Sequence, residues 1–402
     1  MVTHDLQVQA VSNSLAGWNL DLVVSGSIGA VESVRFIRAL RRLGAEVYPT
    51  MTQAAGMFTT PTALSWAAAR PVTQNFDGSA SHIALRDACI VAPASANMIS
   101  KVAQGITDSP ATALIASYLG QKKPVFFVPN MHDSLLHSPL IASNWERLKS
   151  FVHALEPRVE EGKQKFPDPA TLADEVSHRL RFRKDSNRIM LTMGTTRGYI
   201  DSVRYVSNYS SGALGSRIAE EFYRNGFAIH VISGPSPIQP RVFSQKTVTE
   251  THEEMAEAVT KASVTDLSGA IFAASVLDFV PTQRIARKIR SSEELAVQFT
   301  KTSKIISILP QPLPFKVGFK LESELTTDSP GIARDYLQRY QLSHLILNEQ
   351  GAVTESTHKA YAYTNRASEP SLLESKELIA RYLVQEAERA CRKNLSIECE
   401  TN

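Results

Sequence analysis

The sequence predicts an α/β protein built from two successive doubly wound halves. Three observations carry that expectation. Short apolar runs of strand length alternate with segments of helical periodicity, from Leu20 to Val128 and again from Ile189 to Asn348, which is the rhythm of βαβ units in a parallel sheet. A polar stretch with Pro157, Pro167 and Pro169 separates the two series and ends in the basic run Arg181 to Arg188. Each series also opens with an apolar run that ends in a glycine turn, Gly26 in the first and Gly194 in the second. Ligands of such sheets sit at the C-terminal ends of the strands.

In order, Leu20 to Val24 reads as a strand, Ala30 to Leu43 as a helix and Ala45 to Thr50 as a strand. Pro61 to Ala69 is helical, Ala88 to Pro93 a buried strand, Met98 to Leu119 mostly helix and Pro124 to Val128 a strand. Ala170 to Leu180 has helical character before the linker, so the expected domains are residues 1–184 and 185–402. The second series continues with a helix over Ser216 to Asn225, a strand over Ala228 to Ser233 and a helix over Glu253 to Ser263. Strands follow at Gly269 to Ala274, Lys316 to Lys320 and Ser343 to Asn348. Ala360 to Thr364 reads as an edge strand and Leu373 to Arg392 as a closing helix.

Composition removes several classes of function. The chain has 402 residues, 43% hydrophobic and 21% charged, with a net charge of +3. So small a charge gives no warrant for a nucleic-acid partner. No apolar run is long enough to span a bilayer, and Met1 to Trp18 lacks the basic and apolar regions of a signal peptide. Three cysteines, Cys89, Cys391 and Cys399, have no framework spacing, so a reducing cytoplasm is expected. Neither CxxC nor HExxH occurs, which argues against a structural zinc site.

The chemistry-bearing residues cluster after the strands. In the first half they are Ser25-Gly26-Ser27-Ile28-Gly29, Met51-Thr52-Gln53-Ala54-Ala55 with Phe58, and Ala92-Pro93-Ala94-Ser95-Ala96-Asn97 followed by Lys101 and Gly105-Ile106-x-Asp108. Glycines admit close backbone approach, and a helix N-terminus favours phosphate. His82, before the Ala88 strand, has an intrinsic pKa suited to proton transfer. These strings resemble the FMN-binding cysteine decarboxylases over about residues 20–165. The resemblance implies a flavodoxin-like FMN domain. Gly26, Ser27 and Thr52 would lie near the phosphate of FMN, Ser95 and Asn97 near the flavin, and His82 would be the active-site histidine. A carboxylate beside a cysteine side chain has no electron sink of its own, and a flavin meets that need.

Two strings depart from the common pattern. Pro-x-Met-Asn reads Pro129-Asn130-Met131-His132, and the flap reads Glu160-Glu161-Gly162-Lys163-Gln164-Lys165 without a cysteine. Both forms are similar to the archaeal-type branch. His132 can hydrogen-bond a carboxylate as Asn does and can also carry charge. His132, Lys163 and Lys165 are the candidate proton donors.

In the second half, Asp201-Ser202-Val203-Arg204-Tyr205-Val206-Ser207-Asn208-Tyr209-Ser210-Ser211-Gly212 reads as an anion-binding loop between a strand and a helix. Ala273-Ala274-Ser275-Val276-Leu277-Asp278-Phe279-x-Pro281 is followed ten residues after Asp278 by Lys288-Ile289-Arg290, and later by Val317-Gly318-Phe319-Lys320-Leu321-Glu322 and Leu347-Asn348. Together they resemble the phosphopantothenate–cysteine ligases over about residues 188–383, with Arg290 and Ser291 where that pattern has two lysines. The resemblance implies a Rossmann-like domain that activates a carboxylate with CTP or ATP and Mg²⁺. Lys288 would be the catalytic cation with Arg290 in support, and Asn208 would hold the acyl group. Asp278 and Phe319 would contact the nucleotide, while Gly194, Thr195, Ser210, Ser211 and Gly212 would line its phosphates. The expected substrates are 4′-phosphopantothenate, cysteine and a nucleoside triphosphate. The expected assembly is a homo-oligomer based on trimers, possibly a dodecamer.

Two other readings stay open. The first half could be a flavin-binding or assembly module beside an active ligase. The chain could also be an oxidative peptide-cysteine decarboxylase with a decaying ligase half.

Overall fold

The structure is a computed structural model. It describes residues 6–400 other than 79, 162, 183–187, 265, 291–294, 310–312, 354–357 and 368. The chain divides into two compact units, Met1–Leu180 and Arg181–Asn402. The expected 184/185 boundary lies outside the described residues. No helix among those described is long and apolar enough to cross a membrane.

The first unit runs β1 (Asn19–Val24), α1 (Ser33–Arg42), β2 (Glu46–Met51), α2 (Pro61–Ala68), β3 (Ala88–Ala94), α3 (Ala96–Ala103), α4 (Pro110–Gly120) and β4 (Val125–Pro129). It continues with α5 (Asp133–Leu136), α6 (Pro139–Lys149), β5 (His153–Ala154), β6 (Arg158–Glu160), β7 (Lys163–Lys165) and α7 (Pro169–Arg181). Five strands form a parallel sheet in the order β2-β1-β3-β4-β5, the flavodoxin-like arrangement with its switch point between β1 and β3. Its faces pack into two cores, one against α1, α2 and α7 and the other against α3 and α4. β3 is buried along its whole length, which is why its sequence, Ala-Cys-Ile-Val-Ala-Pro-Ala, shows no alternation.

The second unit runs β8 (Arg188–Met193), β9 (Arg197–Tyr199), β10 (Tyr205–Ser207), α8 (Ala213–Arg224), β11 (Ala228–Ser233), β12 (Gln245–Val248), α9 (His252–Ser263) and β13 (Gly269–Phe272). Then come β14 (Phe279–Pro281), β15 (Phe299–Lys301), β16 (Phe315–Glu322), α10 (Ser329–Arg339), β17 (His344–Val353), β18 (His358–Thr364), β19 (Ser371–Leu373) and α11 (Lys376–Glu400). The sheet order is β12-β11-β8-β13-β16-β17-β18-β19. Its first six strands are parallel and follow the doubly wound 3-2-1-4-5-6 order, with the switch point between β8 and β13.

Four sequence expectations are corrected. The Met98 to Leu119 helix is two helices, because Gly105 takes φ 72° and Pro110 starts a new helix behind the Ser109 cap. The Ala360 to Thr364 strand is not an edge, since β18 pairs with both β17 and β19. Leu373 belongs to β19, and the closing helix starts after it. The stretch after Gly194 is not a bare loop. β9 and β10 pair antiparallel within it, Tyr199 opposite Tyr205.

Candidate active sites

In the first unit the side chains gather where β1, β2, β3 and β4 end. Ser27 Oγ donates to Asn130 Oδ1 at 2.9 Å, and the Gly29 N–H donates to the same oxygen at 3.0 Å. Asn130 is buried and ties the end of β4 to the turn after β1. Ser25 Oγ accepts from Ser95 N at 2.8 Å and donates to Pro93 O at 2.8 Å, joining the ends of β1 and β3 across the switch point. Ser95 caps α3 by accepting from Met98 N, and Asn97 stands exposed in the first turn of that helix. Thr52 accepts from Ala55 N at the end of β2. The turn is tight. A Cβ on Gly26 would come 2.6 Å from Ala54 Cβ, and one on Gly29 would come 2.6 Å from Asn130 Oδ1. Hydroxyls, a helix N-terminus and glycine backbone at a flavodoxin-type switch point suit FMN, whose phosphate calls for that donor set.

Among the described residues no hydrogen bond joins His82 or His132 to this group, although His132 follows Asn130 by two residues after β4. The loop of His82 bonds elsewhere, Ala84 N to Ser117 Oγ of α4 and Asp87 N to Asn19 O at the start of β1. The His82 ring packs edge-on against Phe76, and its Nδ1 is buried with no hydrogen-bond partner among the described residues. His132 is exposed and caps α5, its Nδ1 accepting from Ser134 N at 3.2 Å. The flap is the β6–β7 hairpin. Lys165 pairs there with Glu160 at 2.7 Å, and its bond to Glu160 raises its pKa, which makes it a poorer acid than a free lysine. The backbone of Lys163 is in β7.

In the second unit the two long strings meet at the β8/β13 switch point. Thr195 bridges to Ser275, extending the β8–β13 pairing. The Asn208 amide donates to Val276 O at 3.0 Å and to Ser275 O at 3.3 Å. Leu277 N donates to Thr196 Oγ1 at 3.0 Å, and Ser207 Oγ donates to Thr196 O at 3.0 Å. Thr195 itself is buried, with both N–H and Oγ1 donating to Pro235 O. Gly194 has φ 77°, and a Cβ there would meet Gly234 O at 2.5 Å. Gly212 has φ 78° and starts α8, with Ser210 Oγ accepting from its N–H and Ser211 Oγ accepting from Ala213 N. Asp278 is exposed and pairs with Lys304, and Lys288 is exposed with no side-chain partner among the described residues. Phe319 is half-buried against the core shared by α8 and α11. Among the described residues no group of three or more His, Cys, Asp or Glu could hold a metal ion.

The motif strings include Asn130 and Asp201 without giving either a role, and they do not reach Lys304. Each acts through a partner far along the chain, at separations of 101, 88 and 26 residues, and no local pattern marks such pairs.

Fold and sites define a two-part enzyme, a flavodoxin-like half followed by a Rossmann-like α/β half. Residues 9–181 match the flavoprotein family model, and residues 185–390 match that of the DNA/pantothenate metabolism flavoprotein C-terminal domain. The chain belongs to the family of the coenzyme A biosynthesis bifunctional protein CoaBC, whose members join a decarboxylase half to a ligase half. It is 36% identical to the Thermococcus kodakarensis protein over 333 residues, 79% of this chain and 81% of that one. It is 30% identical to the Escherichia coli K12 protein over 402 residues, covering 93% and 97%. A solved DNA/pantothenate metabolism flavoprotein from Streptococcus pneumoniae is similar at 24% identity and a TM-score of 0.47, covering 51% of this chain and 99% of that one.

Proposed function

We propose that residues 185–402 join 4′-phosphopantothenate to cysteine with a nucleoside triphosphate, CTP or ATP. On the same reading, residues 1–184 decarboxylate the product to 4′-phosphopantetheine with FMN. The observation that carries this reading is that motif turns meet across the switch point of each sheet, Ser25 with Ser95 in the first and Thr195 with Ser275 in the second.

A free carboxylate is a poor acylating agent because oxide would have to leave. Attack of its oxygen on the α-phosphorus, with departure of pyrophosphate, gives an acyl nucleotidylate. The cysteine amine then forms the amide and the nucleoside monophosphate leaves. Charge builds at the α-phosphate, so Lys288, exposed and without a side-chain partner among the described residues, is assigned there with Arg290 in support. Asn208 holds the carboxylate being activated, and Asp278 and Phe319 take the nucleoside. Gly194, Ser210, Ser211 and Gly212 line the phosphates, and Thr195 braces that turn through Pro235. Mg²⁺ would be held mainly by the phosphates, as is common for this ion.

In the first half, Gly26, Ser27 and Thr52 would hold the FMN phosphate, and Ser95 and Asn97 its ring. Bound FMN supplies the two-electron redox chemistry that the cysteine carbon needs to release carbon dioxide. His82 and His132 move protons. The site would be completed in a homo-oligomer, trimer-based and possibly dodecameric. A cytoplasmic location without nucleic acid or membrane partners completes the proposal.

The test is mass spectrometry of the purified protein with 4′-phosphopantothenate, cysteine and Mg²⁺, and CTP or ATP in parallel. A product lighter than the cysteine adduct by carbon dioxide is expected, and the preferred nucleotide is read at once. Accumulated adduct would favour a flavin half without catalysis, and no adduct with either nucleotide would refute the ligase.

A further inference from the structure

We propose that Asp201 is a positioning residue for ligation, which aims Lys288 and Arg290 by holding the peptide unit of Ile289 between them. The proposal rests on the assignment of Lys288 to the α-phosphate. Lys288 sits in a stretch, residues 282–290, that is neither helix nor strand. A cation on such a stretch has no regular backbone to aim it, so whatever fixes the chain there fixes the cation.

Asp201 provides that anchor. Its side chain is fully buried. One carboxylate oxygen accepts from Val203 N and Arg204 N, each at 2.7 Å. The other accepts from Arg204 Nη1 at 2.5 Å and from Ile289 N at 3.2 Å. Arg204 Nη1 also donates to Ile289 O at 3.3 Å. Both polar groups of Ile289 are therefore read by the Asp201–Arg204 pair. The Ile289 side chain is 4% exposed, while Lys288 and Arg290 on either side are exposed. One turn upstream, Ile285 N donates to Ile200 O at 2.9 Å, so the hairpin grips the stretch twice. Burial raises the carboxyl's pKa, but the three backbone N–H donors and the Arg204 guanidinium outweigh it and hold the group well below the ordinary carboxylate range.

An amide at this position cannot accept from all four donors and leaves Arg204 without its counter-charge. The test is a double-mutant cycle on the full chain with Asp201→Asn, Lys288→Gln and the pair. It reads pyrophosphate release from 4′-phosphopantothenate and nucleotide without cysteine. Decarboxylation of synthetic 4′-phosphopantothenoylcysteine by the same samples reports an intact first half. D201N is expected to lower the single-turnover rate of pyrophosphate release about 10²-fold with little change in the half-saturating nucleotide concentration, the scale of a small misplacement. In the K288Q background it is expected to cost little more. Full additivity, or an unchanged D201N rate, overturns the proposal. If K288Q keeps the full rate, the assignment of Lys288 is what fails. Should D201N lose its cooperative transition, Asp201→Glu takes its place in the cycle. Amide exchange of the wild-type 284–290 peptide gives a further check, since fast exchange there overturns the anchor directly.

Discussion

Lys304 Nζ lies 2.5 Å from Asp278 Oδ1, closing a salt bridge between the end of the β13 loop and the segment after β15. The pair is tied in again by Thr302, whose N–H donates to Asp278 O at 2.9 Å and whose Oγ1 donates to Leu277 O at 2.7 Å. The Asp278 carboxylate, proposed above as a nucleotide contact, thus has its charge already balanced.

Removing that balance separates stability from function. Both partners are about half exposed, and pairs of that kind contribute at most about 1 kcal/mol. Lys304→Met is expected to leave the thermal midpoint nearly unchanged. If Asp278 contacts the nucleotide as proposed, the change also leaves it as a bare negative charge near an anionic ligand, so nucleotide KM is expected to rise more than kcat falls. Steady-state kinetics with varied nucleotide check this, and an unchanged KM would exclude Asp278 from the nucleotide site.

Asn130 predicts flavin content. Its Oδ1 is the shared acceptor for Ser27 Oγ and Gly29 N. Asn130→Leu fills the space but accepts neither, leaving a backbone N–H unpaired at a cost of about 1–3 kcal/mol. The purified variant is expected to carry less FMN per chain by visible absorbance, while Asn130→Asp, which still accepts both bonds, retains more. Equal flavin in both variants would separate the turn from the cofactor.

Gly212 tests the phosphate turn of the second half. Its φ is 78°, and an added Cβ would meet Ile238 O at 2.5 Å and Ser236 Oγ at 2.7 Å. Gly212→Ala should therefore lose about 1–3 kcal/mol from backbone strain, with more from the clash. Denaturant unfolding reads the stability, and ligation should fall while decarboxylation persists. A variant as stable as the parent would mean that the turn is not built this way.

Acid stability follows from His358. Burial, with a smaller effect of the Lys376 charge, pushes its imidazole down to about 4, and its Nε2 hydrogen-bonds Asn348 Oδ1 at 2.8 Å. An unfolded histidine binds its proton near about pH 6.5. Between those values the unfolded chain holds more protons than the folded one, so stability falls as pH falls through that window. His230 and His344, also pushed down by burial, act in the same direction. His358→Gln keeps a donor for Asn348 but does not titrate, so its stability should depend less steeply on pH. Unfolding midpoints at about pH 7 and about pH 5 check this, and identical slopes would clear His358 of any part.

The central strands and long helices were legible because their burial is written in apolar runs and helical spacing, as in Leu20 to Val24 and Ala228 to Ser233. The hairpins β6–β7, β9–β10 and β14–β15 were not, since strands of three residues such as Arg197–Tyr199 have no period to show. Motif strings marked Asn208, Asp278 and Lys288 as candidates, and the structure brings Asn208 to the loop that leads to Asp278. What holds these residues in place is tertiary. The motif string includes Asp201, but its role rests on a contact with Ile289, 88 residues away, that no local pattern marks.

The last helix has a consequence for work on this enzyme. Ile379, Leu383, Ala387 and Ala390 of α11 share one core with Ile218 and Phe222 of α8, and α8 begins at the Gly212 turn. Helix α11 thus serves as a backstop for α8, the helix whose amino end is proposed to meet the phosphates. Trimming α11, or crowding it with a bulky tag, would loosen that backing and weaken ligation from a distance, with no residue of the catalytic loops altered.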